Sequence, residues 1–141
     1  NGCSGLTSLD VSHFDTSNVI DIGGIFADCS GLTSLDVSKF DTHNVMYMNF
    51  MFGNCSALRT LDVSHFDTSN VIDMGSMFTN CPGLISLDVS KFNTSNVTNM
   101  SNMFSDVKSN GGLYIPLIWR YCFTLCRCKD RDYFSIHQIF R

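Results

Sequence analysis

The chain has 141 residues, of which 44% are hydrophobic, so it has the length of one domain and enough apolar side chains for a continuous core. Residues 1–106 contain 11 Asp against three basic residues, a net charge of −8, whereas residues 107–141 contain six basic residues against two Asp, a net charge of +4. An acidic surface repels phosphate groups, so we expect no binding of nucleic acid or of anionic lipid.

A 26-residue unit is repeated four times from Cys3 to Asp106. A fixed period of this length is typical of proteins in which each repeat stacks on its neighbour. Asn1 and Gly2 hold the places that Ala27 and Asp28 hold one cycle later, so we interpret the chain as a piece of a longer array. We call a set of residues 26 apart a column, as in Cys3, Cys29, Cys55 and Cys81, or in Leu9, Leu35, Leu61 and Leu87.

Each repeat is predicted to contain a strand, a turn, a short helix and a second turn. In the third repeat, Leu58, Leu61 and Val63 are separated by polar residues, which is typical of a strand with one buried face. Residues 67–70 have the composition of a turn or helix cap. The apolar residues that follow have the spacing of a short amphipathic helix, namely Val71, Met74, Met77 and Phe78.

Stacked copies of this unit are expected to form an α/β solenoid of the leucine-rich-repeat type. The strands would form a parallel face, and the short helices would lie opposite them. A right-handed β-helix is the structural alternative. The helical spacing of the second half of the repeat favours the first of these folds.

The repeat pattern ends at residue 107, where Val107 stands in place of the next Cys. We therefore divide the chain into four repeats over residues 1–106 and a divergent segment over residues 107–141. Three interpretations of this segment stay open. It could be a C-terminal cap over the last repeat, an unrelated or disordered tail, or the product of a frame-shifted translation.

The polar side of the predicted strands carries the candidate ligand-binding residues. Its centre is the Asp column that begins at Asp10, which is flanked by Ser or Thr and followed by alternating His and Lys. We name this set the Asp/Ser face, and it comprises Ser8, Asp10, Ser12, His13, Ser34, Asp36, Ser38, Lys39, Thr60, Asp62, Ser64, His65, Ser86, Asp88, Ser90 and Lys91.

Two interpretations of the Asp column compete. Stacked carboxylates repel one another, which favours a polar ligand face or a weak Ca²⁺ ladder that offsets the repulsion. Alternatively, each Asp accepts hydrogen bonds from its own turn or from the neighbouring His and Lys residues. No calcium-binding loop motif is present, and we predict no metal and no cofactor.

The remaining columns are interpreted structurally. The Cys column lacks the paired spacing of a zinc site, so we expect buried free thiols. The His residues lie two repeats apart, too far for shared metal coordination. The Asn column that contains Asn70 is expected to form an internal ladder whose amides bond to the backbone of adjacent turns. Cys122, Cys126 and Cys128 have no partner cluster that would indicate zinc.

Residues 84–104 resemble the repeat of BspA-like bacterial surface proteins. The shared pattern, L-x-x-L-D-x-S-x-F-D-T-S-N-V-x-x-M-x-x-M-F, matches four times between Cys3 and Asp106, and Asn93 replaces its second Asp in the last copy. The resemblance implies a leucine-rich-repeat-like protein at the cell surface or secreted. It also implies adhesion to host matrix or to other cells, and it provides no catalytic residues.

The sequence therefore predicts a non-enzymatic surface or secreted protein that mediates adhesion by binding a protein or glycan on a host or neighbouring cell. Membrane insertion is not expected within the chain. A structural spacer with no ligand of its own is the alternative function. An enzyme is disfavoured, because an active site needs one differentiated constellation and the polar features here are copied in every repeat.

Overall fold

The computed structural model describes residues 2–107 and the backbone of residues 113–114. Within these ranges it contains two short strands, β1 (Leu87–Asp88) and β2 (Leu113–Tyr114), and no α-helix. Turns and extended segments account for the rest of the described chain. The predicted α/β solenoid, with a parallel strand face and short helices opposite, is therefore wrong.

Residues 26 apart are paired along the described chain. Isolated parallel bridges join Asp21 to Tyr47, Tyr47 to Asp73 and Asp73 to Asn99, and a second file of bridges runs through Ser34, Thr60 and Ser86. Strands β1 and β2 also pair in parallel, with Leu87 opposite Leu113. Each repeat thus forms one layer, and the 26-residue register persists at residues 113–114, beyond the end of the sequence pattern.

The segment predicted to be helical is a series of tight turns. In the third repeat the Met77 and Thr79 N–H groups bond to carbonyls three residues earlier, at 3.2 and 3.1 Å. The N–H groups of alternate residues bond to the next layer, as from Ser76 to Ser101 at 2.7 Å. Ser76 and Asn80 have left-handed φ angles of 56° and 52°. These residues interrupt right-handed winding, so no helical ladder can form.

In place of the predicted strand there is only a short stretch of pairing between layers. Around Leu58–Val63 the interlayer contact consists of two bridges at Thr60, one to Ser34 and one to Ser86, and of backbone bonds such as Arg59 N–H to the Thr33 carbonyl at 3.0 Å. A turn stabilised by Asp62 then redirects the chain. Among the described residues there is accordingly no continuous parallel strand face, and the extended strands of the β-helix alternative are also absent.

The core lies along the axis of the stack and is built from the repeated apolar positions. Phe52 and Phe78 are fully buried, and their rings stack with centroids 5.6 Å apart. The row of stacked rings continues on both sides. The Phe26 centroid lies 5.7 Å from that of Phe52, and the Phe104 centroid lies 5.8 Å from that of Phe78. Such offset aromatic pairs contribute about 0.5–1.5 kcal/mol each beyond the area that they bury. Leu35, Leu61 and Leu87 are buried in this core, and Leu9 packs against it.

Three threonines are the buried polar residues of the described chain: Thr16, Thr42 and Thr68. Each hydroxyl donates to a carbonyl of the next layer, for example Thr68 to Asn93 at 3.1 Å. The Thr68 hydroxyl also accepts the Asn93 N–H at 2.7 Å. In the described part of the chain, no buried side-chain nitrogen or oxygen lacks a partner. The threonines therefore join neighbouring layers without leaving an unsatisfied polar group.

Candidate functional site

All sixteen residues of the Asp/Ser face lie at the surface, with Ser64 half-buried and the others exposed. Ser34, Thr60 and Ser86 are brought directly together, because they occupy successive bridges of one file. The same register places Asp36, Asp62 and Asp88 in successive layers, about 4.8 Å apart. The structure therefore presents one copy of the same polar group in each layer.

Each Asp of this face is fixed by its own turn. The carboxylates of Asp10, Asp36 and Asp62 accept the backbone N–H of the Ser two residues later at 2.9 Å, and Asp88 does so at 2.8 Å. Hydrogen bonds from the hydroxyl and the N–H of that Ser lower the pKa of each Asp. The four side chains are therefore ionised at neutral pH, as the own-turn interpretation expects.

Basic side chains of the same and the following layer lie near the Asp column. Lys39 and His65 further lower the pKa of Asp36, and His65 and Lys91 do the same for Asp62. The charge of Asp62 in turn raises the pKa of Asp88, although the bonds from Ser90 outweigh this effect. The Asp/Ser face therefore alternates in charge instead of forming an uninterrupted anionic ladder.

His65 occupies a defined position on this face. Its Nε2 lies 2.9 Å from the carbonyl oxygen of Val37, one layer below, and its ring stands edge-on to Phe66 with centroids 5.0 Å apart. No group of three or more His, Cys, Asp or Glu side chains within the described ranges is arranged to hold a metal ion. The side chains of the Asp/Ser face can therefore accept and donate hydrogen bonds and attract charged groups of a ligand.

A second set of Asx turns lies where the sequence predicts a turn or helix cap, as at residues 67–70. Asp15, Asp41 and Asp67 accept the N–H two residues later, and Asn93 does the same at 3.0 Å. His43 also contacts the carboxylate of Asp41 through Nδ1 at 2.6 Å. The recurring pair of an acidic residue and a turn residue two places later was the available signal. Asn93 shows that an amide supports the same turn.

The amides of the Asn column bond to adjacent turns, as predicted. Asn44, Asn70 and Asn96 donate from Nδ2 to a backbone carbonyl of the preceding layer at 2.7–2.8 Å. The ladder lies at the surface, however, and not in the interior, because all three side chains are exposed. These amides stabilise the stack and are not available as a separate site.

The thiols of Cys29, Cys55 and Cys81 are free and buried, which confirms the prediction for these three positions, but Cys3 in the first layer is exposed, so the prediction is wrong there. The Sγ atoms of Cys55 and Cys81 donate to carbonyls of the preceding layer at 3.2 and 3.1 Å. Burial raises the pKa of Cys55 to about 12 and that of Cys81 to about 11. Cys122, Cys126 and Cys128, like the three interpretations of the C-terminal segment, lie outside the described residues.

One column at the surface has an aromatic residue in a single repeat and a polar residue in the other three. Asp21, Asp73 and Asn99 belong to it, but the second repeat contributes Tyr47, whose side chain is 37% exposed. Comparison of the four repeats position by position would have revealed this difference from the sequence. Because Tyr47 occurs in one repeat only, it is absent from the features that all four repeats share.

A family profile described as "Mycoplasma protein of unknown function, DUF285" matches residues 1–113. This description specifies neither BspA-like proteins nor leucine-rich repeats. Comparisons with curated proteins and with solved structures found no match. Within the described ranges, no helix has the length and apolar character needed to cross a membrane.

Proposed function

The chain belongs to the DUF285 family of Mycoplasma proteins of unknown function, and from this membership we propose that it is a non-enzymatic, surface-associated repeat protein. Its role would be adhesion, through binding of a protein or glycan by the Asp/Ser face. The observation that carries the proposal is the repetition of one exposed, hydrogen-bonded carboxylate in every layer of that face.

The rigidity of the carboxylates supports binding. Each Asp is held by a backbone N–H of its own turn, so its side chain loses little conformational freedom when a ligand approaches. A carboxylate has about four lone-pair directions, and the turn uses only part of them. The remaining acceptor capacity faces solvent together with Ser and Thr hydroxyl groups.

The spacing of the layers favours an extended ligand. Equivalent groups recur about every 4.8 Å along the stack, so a chain molecule lying along the face would meet several of them. Individually weak contacts then add through a high effective concentration. Because the face alternates Asp with Lys and His, it can both accept and donate hydrogen bonds, which suits the hydroxyl groups of a glycan or the polar groups of a polypeptide.

The resemblance of the repeat to BspA-like surface proteins supports the surface location and the adhesive role. The family description itself leaves the function open. A spacer function is the second candidate, and one observation favours it. The Asp side chains already accept hydrogen bonds within their own turns, so they satisfy a structural requirement without any ligand.

The proposal is tested by removing charge from the face without removing the turns. In the triple variant D36N/D62N/D88N each amide can still accept the N–H two residues later, as Asn93 does. The matched control D15N/D41N/D67N removes the same number of charges from the other set of Asx turns. Binding of the labelled full chain to arrays of host glycans and matrix proteins, and to cultured host cells, is measured for all three proteins.

We expect the first variant to lose most of its binding and the control to retain it. Equal binding by the wild type and both variants would refute a role for the Asp/Ser face. Absence of any binding by the wild type would favour the spacer function. Thermal unfolding of each protein, monitored by calorimetry, verifies that the folded state is preserved.

A further inference from the structure

The second repeat differs from the other three in one short segment, residues 43–50. Tyr47 stands in the column of Asp21, Asp73 and Asn99, and Met46 stands in the column of Ile20, Ile72 and Thr98. Phe50 occupies the position that is filled by Gly24, Ser76 and Asn102. These differences introduce two aromatic rings and a thioether into one turn of an otherwise regular surface.

Tyr47 lies between two carboxylates. Parallel bridges pair it with Asp21 on one side and with Asp73 on the other, so the three side chains leave the backbone in register about 4.8 Å apart. Tyr47 and Met46 are each 37% exposed, and the neighbouring Ile20 is 55% exposed. The ring is thus accessible, and it is bordered by apolar surface as well as by negative charge.

The two carboxylates are oriented by hydrogen bonds, and neither forms an ion pair with a described residue. Asp21 accepts the Gly23 N–H at 2.7 Å, and Asp73 accepts the Gly75 N–H at 2.7 Å. The amide of Asn99 also donates to Asp73 at 3.0 Å. Within the described ranges the one ion pair is His43 with Asp41. Two carboxylates held in place by hydrogen bonds therefore flank an exposed aromatic ring, and neither of them forms an ion pair within the described part of the chain.

Phe50 shows that the segment is not optimised for stability. Its φ angle of 57° lies in the left-handed region, which costs a bulky residue about 1–2 kcal/mol. Its ring is accommodated by Gly53, where an added Cβ would lie 2.4 Å from the ring atoms. The other residues of that column all have a Cβ: Ala27, Thr79 and Ser105. Because Ser76 and Asn102 of the same column have φ angles of 56° and 55°, the stack imposes this conformation, and only the bulk of the side chain is particular to the second repeat.

We propose that Tyr47, Asp21 and Asp73 form a binding site for an arginine side chain presented by a protein partner. A guanidinium group stacks on an aromatic face and forms paired hydrogen bonds with carboxylates. The charge of the repeat region, −8 over residues 1–106, attracts such a cation from a distance. This site lies in a different column from the Asp/Ser face. It can therefore be confirmed or refuted independently of the proposed adhesive surface.

The test uses the full chain and a fluorescein-labelled nonapeptide in which three Arg alternate with Gly and Ser. Fluorescence anisotropy gives the dissociation constant. Tyr47→Asn keeps the net charge and places at this position the residue that occurs at Asn99, so the fold is expected to be retained. We expect it to weaken binding about fivefold to tenfold, and Tyr47→Phe, which keeps the aromatic face, to bind within about twofold of the wild type.

A pair of double variants separates a local site from general electrostatic attraction. D21N/D73N and D15N/D67N change the net charge equally at positions two layers apart, and an amide can maintain the turn in each case, as Asn99 does with Ser101 and Asn93 does with Ser95. We expect the first to weaken peptide binding about tenfold and the second by no more than about twofold. Equal weakening by both, or no effect of Tyr47→Asn, would overturn the proposal. Preference for a neutral oligosaccharide over the peptide, with the same dependence on Tyr47, would also overturn it.

Discussion

The packing of Phe50 against Gly53 makes a quantitative prediction about the second repeat. A Cβ added at residue 53 would lie 2.4 Å from two atoms of the Phe50 ring, well inside the distance at which real side-chain contacts occur. Gly53 is buried and Phe50 is half-buried, so the ring can move away from an added methyl group only by losing part of its packing. Gly53→Ala should therefore destabilise the protein by about 1–3 kcal/mol, the typical cost of overpacking.

Alanine itself is compatible with this position, since Ala27 occupies the same column and is buried. The cost should consequently disappear when the ring is removed. In a Phe50→Ser background, which places at residue 50 the residue found at Ser76, Gly53→Ala should change stability by less than about 0.5 kcal/mol. Urea unfolding of the four proteins in this double-mutant cycle measures the coupling. An equal cost of Gly53→Ala in both backgrounds would show that the ring and the glycine are not linked as described.

Four further outcomes follow from the structure. Thr68→Val removes the hydroxyl that both donates to and accepts from Asn93 and should cost about 2 kcal/mol; Thr33→Val, at an exposed side chain, should cost less than about 0.5 kcal/mol, and calorimetry that finds equal losses would contradict this account. Phe78→Ala removes a fully buried ring stacked on two others and should cost about 3–5 kcal/mol in urea unfolding, whereas Phe14→Ala, at a ring 47% exposed, should cost far less. The Asp residues of the Asp/Ser face have folded-state pKa values below their ordinary value of 3.8, so the stability that they contribute is present above pH 4 and is lost as the pH falls through the lowered values; the melting temperature of D36N/D62N/D88N should vary less between pH 5 and 2 than that of the wild type. Cys55 and Cys81, with pKa values of about 12 and 11, should resist alkylation by iodoacetamide at pH 8 until the protein is denatured, as followed by peptide mass spectrometry, and rapid modification of the folded chain would contradict their burial.

The core of the molecule could be predicted from the sequence because the period alone determines which residues meet. Once residues 26 apart are superimposed, Phe52 must face Phe78, and Leu35 must face Leu61, whatever backbone geometry connects them. The same reasoning predicted the surface position of Asp36 and Asp62. In a repeat protein the register determines which residues of neighbouring layers are in contact. Identical residues 26 apart in the sequence show that register directly.

The local conformation could not be predicted in this way. Val71, Met74, Met77 and Phe78 are all buried, as expected of the apolar stripe of a helix. A series of three-residue turns also returns every third side chain to the interior, so hydrophobic spacing does not separate the two geometries. The discriminating signal lay in the polar positions. The columns that contain Ser76 and Asn80 are otherwise filled mainly by Gly, Asn and Asp, residues that tolerate the left-handed backbone observed there.

For a related reason, one of the two candidate sites could be predicted from the sequence and the other could not. The surface positions of the repeated residues could be predicted because their turns are alike in every layer: Asp10, Asp36, Asp62 and Asp88. Tyr47 was missed because it appears once. A site that discriminates one partner from another requires a feature that is not copied, so departures from the repeat are as informative as its consensus.

The backbone of this molecule allows such departures. In the second repeat, the Met48 and Phe50 N–H groups bond to carbonyls of the next layer at 2.9 Å, and the Ile72 N–H returns a bond to Met46 at 2.9 Å. The buried Met48 and Phe52 side chains anchor the same turn in the core. Because these interactions involve main-chain and interior groups, the exposed side chains at 46 and 47 can change without altering the layer. Interlayer bonding thus supports the strain at Phe50, and a single repeat can acquire a distinct binding surface while the stack around it remains regular.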